Sequence, residues 1–397
     1  MDRIDIQMET EDRYARLRLI PWWNQQKLKQ SVVMVVGAGA IGNEIVKNLA
    51  LLGVGTLLVV DMDQIENSNL SRSILYREAD EGRSKAATAA IKAMEINPDV
   101  HAIPLVGSVI TQVGTGFFRH VDVVLGGLDN REARLTINQK CWKTGTPWID
   151  GAIEVFQGMA RVFVPPHSAC YECTMNEADY RQLNFRKSCS LLTRKEMLEG
   201  KVPTTPTTAS VIAGIQVQEA VKLIHGSPSL FPLEGKGFVF NGLNHDSYTI
   251  TYTRKEECLS HETWDPITET PYGINDLSLR ESIKLIQEHL GPEAYLETDY
   301  EMAVQATCAC GQVMPFHRPL ITVAVEEAMC PICGVEGEME LTHRFTGEEA
   351  YADNTLAQLG FAPGDILKGR WNKETVYLEM TRDIHQVMKQ EPKEELS

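Results

Sequence analysis

The sequence predicts an α/β fold, a doubly wound and largely parallel sheet followed by a smaller α+β domain. Three observations carry this prediction. A continuous apolar run, Val32 to Val36, enters a Gly-x-Gly-x-x-Gly turn at Gly37, Gly39 and Gly42, and a helix-periodic segment follows at once. A second apolar run, Leu57 to Val60, ends on Asp61. A third, within VDVVLGGLDN, ends on Asp129, so acidic groups recur where parallel strands expose their carboxyl ends.

Each element has its own warrant. The first run lacks polar alternation, the pattern of a strand buried on both faces. After it, Ile41, Ile45, Leu49 and Leu52 recur at helical spacing, so backbone N–H groups at that helix start face a phosphate lying near the glycines. The glycine turn alone fits NAD, FAD, S-adenosylmethionine and ATP alike. Asp61, with Asp63 beside it, offers carboxylate to ribose hydroxyls, which ADP, NAD and AMP share. Asn69, Arg72 and Lys85 then discriminate, because an amide and two cations just past the second strand suit a triphosphate and its departing pyrophosphate. Lys85 opens the next helix, KAATAAIKAMEI, and Asp129 stands where a carboxylate holds Mg2+ against phosphates. Any one of these charges could merely solvate the sheet edge; together they describe an ATP site.

The nine cysteines sort by spacing. Cys170 and Cys173 form a C-x2-C pair after one strand, and Cys258 with His261 forms C-x2-H after another, which together complete a closed, structural zinc set. Cys308, Cys310, Cys330 and Cys333 form a second set of four, ribbon-like through its CPICG knuckle. A redox pair lacks the surrounding strand and helix, whereas an iron–sulfur site stays open on spacing alone. Cys141, in the helical TINQKCWKTG, reads as a buried inert thiol. Cys189 differs, since Arg186 and Lys187 just before it favour the thiolate form of a nucleophile.

From about Arg13 to His225 the chain resembles the ThiF-type adenylyltransferases, which include ubiquitin-activating enzymes and sulfur-carrier activators. The resemblance rests on RYAR (Arg13 to Arg16), GAGAIG, DMDQIENSNLSR, GRSKA, LDNREAR, IDGAIEVFQGMARV, CYEC and PTTASVIAGIQVQEAVKLI, in that order. It implies a Rossmann-like adenylation domain in which the C-terminal carboxylate of a Gly-Gly-ended protein attacks the α-phosphate of MgATP. Carried over by position, Arg72 and Lys85 contact phosphates, Asp129 the Mg2+ and phosphates, and Asp61 the ribose; Arg16 reaches into the ATP site of a homodimer partner. The resemblance also places a catalytic cysteine in the interval that holds Cys189, whose Ser190 and Leu191 fit the pattern, and puts His261 where a cysteine is usual.

The expected organisation is an adenylation domain over 1–264 with a crossover segment at about 179–208, a proline- and threonine-rich linker over 265–273, and a domain over 274–383. A tail follows over 384–397. In the third part IKLIQEHL has helical periodicity, and Asn354 to Met380 reads as a short helix, a turn and two strands. That pattern weakly resembles the ubiquitin-fold domain that recruits a conjugating enzyme, with the zinc ribbon inserted at about 305–336. Composition agrees: 397 residues, 43% hydrophobic and 23% charged, can bury two cores. A net charge of −16 argues against nonspecific nucleic-acid binding. No membrane-span pattern or secretory signal is seen, so the expected location is the cytoplasm. The leading expectation is a ubiquitin-like-protein activating enzyme that uses ATP, Mg2+ and two Zn2+ ions, forms a thioester on Cys189 and hands it to a conjugating enzyme. The alternative is a sulfur-carrier adenylyltransferase that stops at the adenylate, and a third reading is a non-catalytic scaffold subunit.

Overall fold

Apolar runs that face both ways need cover on both sides, and the chain provides it. A computed structural model describes residues 12–181 and 203–390. Its first sheet contains β1 (Val32–Val36), β2 (Thr56–Asp61), β3 (His101–Val106), β4 (Val123–Gly126), β5 (Trp148–Glu154), β6 (Gln157–Phe163), β7 (Lys236–Asn241) and β8 (Asp246–Thr251). Their spatial order is β3-β2-β1-β4-β5-β6-β7-β8. β1 to β5 pair in parallel and β5 to β8 pair antiparallel, so a doubly wound half continues into a meander.

β1 shows the two-sidedness directly. Val33 and Val35 enter a core under helices α1 (Ala40–Leu52), α2 (Lys85–Ile96) and α5 (Pro206–His225), together with Ile45, Leu49, Ala89, Ala213 and Val217. Met34 and Val36 enter the opposite core with Phe117, Phe118, Ile137 and Trp142, under α3 (Thr115–Arg119) and α4 (Arg131–Thr144). Three of these helix starts are capped by a side chain, Ser84 for α2, Asn130 for α4 and Thr205 for α5, which also carries Pro206 in its first turn.

The strand ending near Asp129 is fourth along the chain. The strand before it, β3, lies at the sheet edge, and Pro104 within it breaks the apolar run that would have marked it.

A second sheet follows, of β9 (Ile267–Thr270), β10 (Tyr295–Thr307), β11 (Val313–Pro319), β12 (Glu338–Phe345), β13 (Ile366–Trp371) and β14 (Glu374–Met380). One helix, α6 (Leu279–Leu290), lays Leu279, Ile283 and Ile286 on it against Leu296, Leu367 and Leu378. Three expectations are corrected here. The segment 265–273 is no free linker, because β9 within it pairs in parallel with β14. The stretch Asn354 to Gly360 is a series of hydrogen-bonded turns, not a helix, before β13 and β14. Residues expected to begin a solvated tail at 384 instead continue helix α7 (Thr381–Met388), whose Ile384 is buried with Phe117 of the first body.

The two bodies meet at α3. Gly114 N–H donates to the Pro363 carbonyl at 3.0 Å and Gly116 N–H to the Gly364 carbonyl at 2.9 Å. A Cβ on Gly114 would lie 2.3 Å from the Gly364 carbonyl carbon, so glycine is needed for this backbone approach. Among the described residues, no helix is long and apolar enough to cross a membrane.

Candidate nucleotide-binding site

Parallel register brings the sequence signals together. Val36 pairs with Val60 on one side and Gly126 on the other, so the turns after β1, β2 and β4 share one edge. Gly37 adopts φ +90°, and a Cβ there would sit 2.6 Å from the Gly127 carbonyl oxygen. One on Gly42 would be 1.8 Å from the Gly37 carbonyl oxygen. Gly39 differs from both, since nothing lies within 4 Å of its missing Cβ. Its bare backbone at the start of α1 faces open space, which suits close approach by a phosphate.

Asp61 is fastened to this turn. Its Oδ2 accepts from Ala38 N–H at 2.7 Å and its Oδ1 from Asp63 N–H at 2.8 Å. Burial pushes its carboxyl above the ordinary range, while those two N–H groups pull the other way. Lys85 Nζ donates to Asp63 at 2.8 Å, from a side chain only 12% exposed. Arg72, half-buried, gives Nη1 to the Ser68 carbonyl at 2.7 Å and has no carboxylate partner among the described residues. Asp129 is exposed and, among the described residues, takes no hydrogen bond, just before the Asn130 cap of α4. Lys85 and the loops that carry Arg72 and Asp129 thus follow β2 and β4, the strands that flank β1 and its glycine turn at one sheet edge.

Asn69 has a more local duty than expected, as its Oδ1 accepts from Glu66 N–H at 3.0 Å and closes a capping box. Arg16 is exposed, whereas neighbouring Arg18 is bound to Asp12 and Arg13 donates to the Ile96 carbonyl. Cys189 lies outside the described residues.

Several supporting residues were not legible as such. Asn43, fully buried, donates Nδ2 to the Ala38 and Gly39 carbonyls and accepts from Leu75 N–H, tying the glycine turn to the Arg72 loop. The Tyr76 hydroxyl lies 2.7 Å from the Ala38 carbonyl oxygen and 3.1 Å from that of Lys85. Burial keeps this phenol protonated, raising its pKa well above the usual value. Gln216 Nε2 donates to the Gly126 and Ile149 carbonyls, which fixes the end of β4.

Below the Asp129 turn sits a buried ionic triad. Arg134 Nε donates to Asp150 Oδ1 at 2.8 Å and its Nη2 to the Leu128 carbonyl, while Arg161 Nε donates to Asp150 Oδ2 at 3.0 Å. Burial alone would raise the Asp150 carboxyl; the two guanidinium groups overcome it and hold the pKa below the ordinary value. Arg134→Met should therefore cost about 3 kcal/mol, because it leaves a buried carboxylate with half its partners. A depressed folded pKa contributes stability that is present above the unfolded value of ~3.9 and lost as pH falls through the folded one. Urea unfolding should show the Arg134→Met deficit shrinking from pH 7 towards the acid limit; a pH-independent deficit would contradict this.

Both cysteine sets converge. The ligand atoms of Cys170, Cys173, Cys258 and His261 lie within 4.8 Å of one another, as do those of Cys308, Cys310, Cys330 and Cys333. Sulfur separations of 3.6 Å (Cys170 to Cys173) and 3.5 Å (Cys170 to Cys258) resemble the roughly 3.8 Å edge of a tetrahedron with Zn–S bonds of ~2.3 Å. In the second set, Cys308 and Cys333 are 3.3 Å apart and Cys310 and Cys330 3.5 Å. Lys255 N–H points at Cys173 and Ile332 N–H at Cys330, donors that favour thiolates. His261 turns Nε2 towards Cys173 at 3.4 Å, and Trp142 stacks on its ring. Both donor sets fit a closed tetrahedral metal site. Cys141 is buried in α4, and burial raises its thiol, as an inert role requires.

The ThiF family profile matches residues 11–260. The SAMP-activating enzyme E1 of Haloferax volcanii is 32% identical over 62% of this chain and 87% of its own length. The sulfur carrier protein adenylyltransferase of Thermus thermophilus is 29% identical over 63% and 90%. The NEDD8-activating enzyme E1 catalytic subunit of Caenorhabditis elegans is 37% identical, over 40% of each chain. Among solved structures, E. coli MccB with ATP superposes with a TM-score of 0.53 at 22% identity, covering 64% of this chain and 75% of MccB, which is a likeness of fold.

Proposed function

The chain belongs to the ThiF family, and from that premise we propose that it activates the C-terminal carboxylate of a small carrier protein with MgATP. The observation that carries this reading is the open backbone of Gly39 at a sheet edge onto which the turns after β1, β2 and β4, those leading to Arg72, Lys85 and Asp129, all open. The helix start and the two cations bind the triphosphate, Asp61 faces the ribose, and Asp129 is the carboxylate that would hold Mg2+ there. A carboxylate oxygen of the carrier's terminal glycine attacks the α-phosphorus, the bond to the bridging α–β oxygen breaks, and pyrophosphate leaves. Arg72 and Lys85 offset the charge that collects on the departing group.

In the second step the Cys189 thiolate attacks the acyl carbon, AMP departs and a thioester remains. The C-terminal α+β body is assigned the recruitment of a conjugating enzyme. Similarity to the SAMP-activating enzyme E1 of Haloferax supports this course. Similarity to the Thermus adenylyltransferase supports the second reading, in which the carrier leaves as adenylate. Incubation with MgATP and a Gly-Gly-ended carrier tests both, read by intact-mass spectrometry. An acyl-adenylate alone selects the second reading, an added reductant-sensitive adduct selects the first, and neither product rejects the activation proposal.

Two structural zinc ions are assigned per chain, one to each cysteine set. Metal analysis of the purified protein should return about two zinc per chain, the sum of two closed four-ligand sites. Cys173→Ser and Cys330→Ser should each lose one and lower the melting temperature, because metal binding free energy is folding free energy. One zinc, or iron, in the wild type would reject one assignment.

The active form is assigned as a homodimer in which Arg16 contributes to the partner's phosphates. Arg16→Ala and Asp129→Ala proteins, each inactive alone, should recover part of the exchange activity when mixed, since one site of a mixed dimer is intact. Absence of rescue with subunit exchange confirmed would overturn the role of Arg16 in trans.

A further inference from the structure

Three segments of the nucleotide edge meet at one peptide group. Ala38 lies between the first two glycines of the turn, and its N–H donates to Asp61 Oδ2 at 2.7 Å. Its carbonyl accepts twice, from Asn43 Nδ2 at 2.7 Å and from the Tyr76 hydroxyl at 2.7 Å. Each of those side chains also reaches a second segment. Asn43 Oδ1 accepts from Leu75 N–H at 2.9 Å, three residues beyond Arg72, and the Tyr76 hydroxyl lies 3.1 Å from the carbonyl oxygen of Lys85, the first residue of α2. Both side chains are buried. Asparagine disfavours a helix interior, so its place as the fourth residue of α1 answers to these bonds rather than to the helix.

We propose that Asn43 and the Tyr76 hydroxyl are positioning residues for adenylation, holding the glycine turn, the Arg72 loop and the Lys85 helix start at one set of mutual distances. The inference rests on the ATP-site reading above and adds to it. Neither side chain is free to touch a nucleotide, since the polar atoms of both are taken up by protein groups inside the fold. Their effect passes through the elements they join. ATP can settle on the glycine turn with a cation slightly displaced, because each ground-state contact adjusts on its own. The transition state cannot, since in-line attack and the charge on the departing pyrophosphate need the turn and both cations in place together. Slackness between the segments therefore slows the chemical step more than it weakens nucleotide binding.

The test uses Tyr76→Phe, which removes only the hydroxyl, Asn43→Ser, and the two combined. Thr146→Val is the comparison: it removes a buried hydroxyl bonded to the Phe118 carbonyl at 2.6 Å, just ahead of β5 and so at the opposite end of the parallel strands. Carrier-dependent pyrophosphate exchange gives kcat and the KM for ATP, and hydrogen exchange by mass spectrometry reads the segments 37–43 and 72–76. Either single variant should lower kcat about tenfold with KM held within about twofold, and the double variant should fall by less than the product, because both bonds end on one carbonyl. Thr146→Val should change neither constant. A kcat that is unchanged in the site variants, or that falls equally in Thr146→Val, would overturn the proposal, and so would a fully multiplicative double variant. A wild type without carrier-dependent exchange defeats the ATP-site reading separately. Hydrogen exchange then still decides on the joint: speeding in both segments from either substitution supports it, and speeding confined to the substituted segment overturns it.

Discussion

Cys189→Ala is expected to abolish the reductant-sensitive adduct with the carrier while leaving pyrophosphate exchange intact. The two steps are separable because the acyl-adenylate forms at the nucleotide edge before any thiol attacks it. Arg186 and Lys187 precede Cys189 in sequence and favour its thiolate. Cys141→Ala is the control: its thiol is fully enclosed in α4, so both steps should survive. Adduct formation that persists in Cys189→Ala would remove the nucleophile assignment.

Asp129→Ala should lower exchange by roughly 100-fold or more, the scale of one preorganised electrostatic contact at a transition state, ~3 kcal/mol. The folded protein should hardly notice, because Asp129 is exposed and holds no hydrogen bond among the described residues. An unchanged melting temperature with lost exchange therefore separates function from folding. Lys85→Ala should act in the same direction, with its partner Asp63 left 56% exposed and solvated. Exchange at the wild-type rate in Asp129→Ala would contradict the assignment of this edge as the ATP site.

The nucleotide edge was legible because its signals are local. A strand run, a glycine turn and an acidic strand end are each contiguous, and parallel register then aligns them without further instruction. The cysteine sets were legible for a related reason: ligand spacing constrains geometry even when the pairs lie 88 residues apart, as Cys170 and Cys258 do. What stayed hidden depends on register. Asp150 and Arg161 face one another only because β5 and β6 pair Asp150 with Arg161, and nothing in either segment announces a triad with Arg134. The linker reading failed similarly. Proline and threonine around β9 resemble loop composition, yet its partner β14 lies more than a hundred residues further on and turns the segment into an edge strand. The tail reading began at 384 although Ile384 is 1% exposed, since an amphipathic helix of eight residues carries too little pattern to outweigh the charged run after it.

The central claim is that this chain activates a protein's terminal carboxylate at the Gly39, Lys85, Arg72 and Asp129 edge. It is tested most directly by ATP–pyrophosphate exchange with and without a Gly-Gly-ended carrier, and with the same carrier amidated at its C-terminus. Exchange that requires the carrier and vanishes on amidation is the predicted result. Exchange that is indifferent to the carrier, or equally fast with the amide, would contradict it.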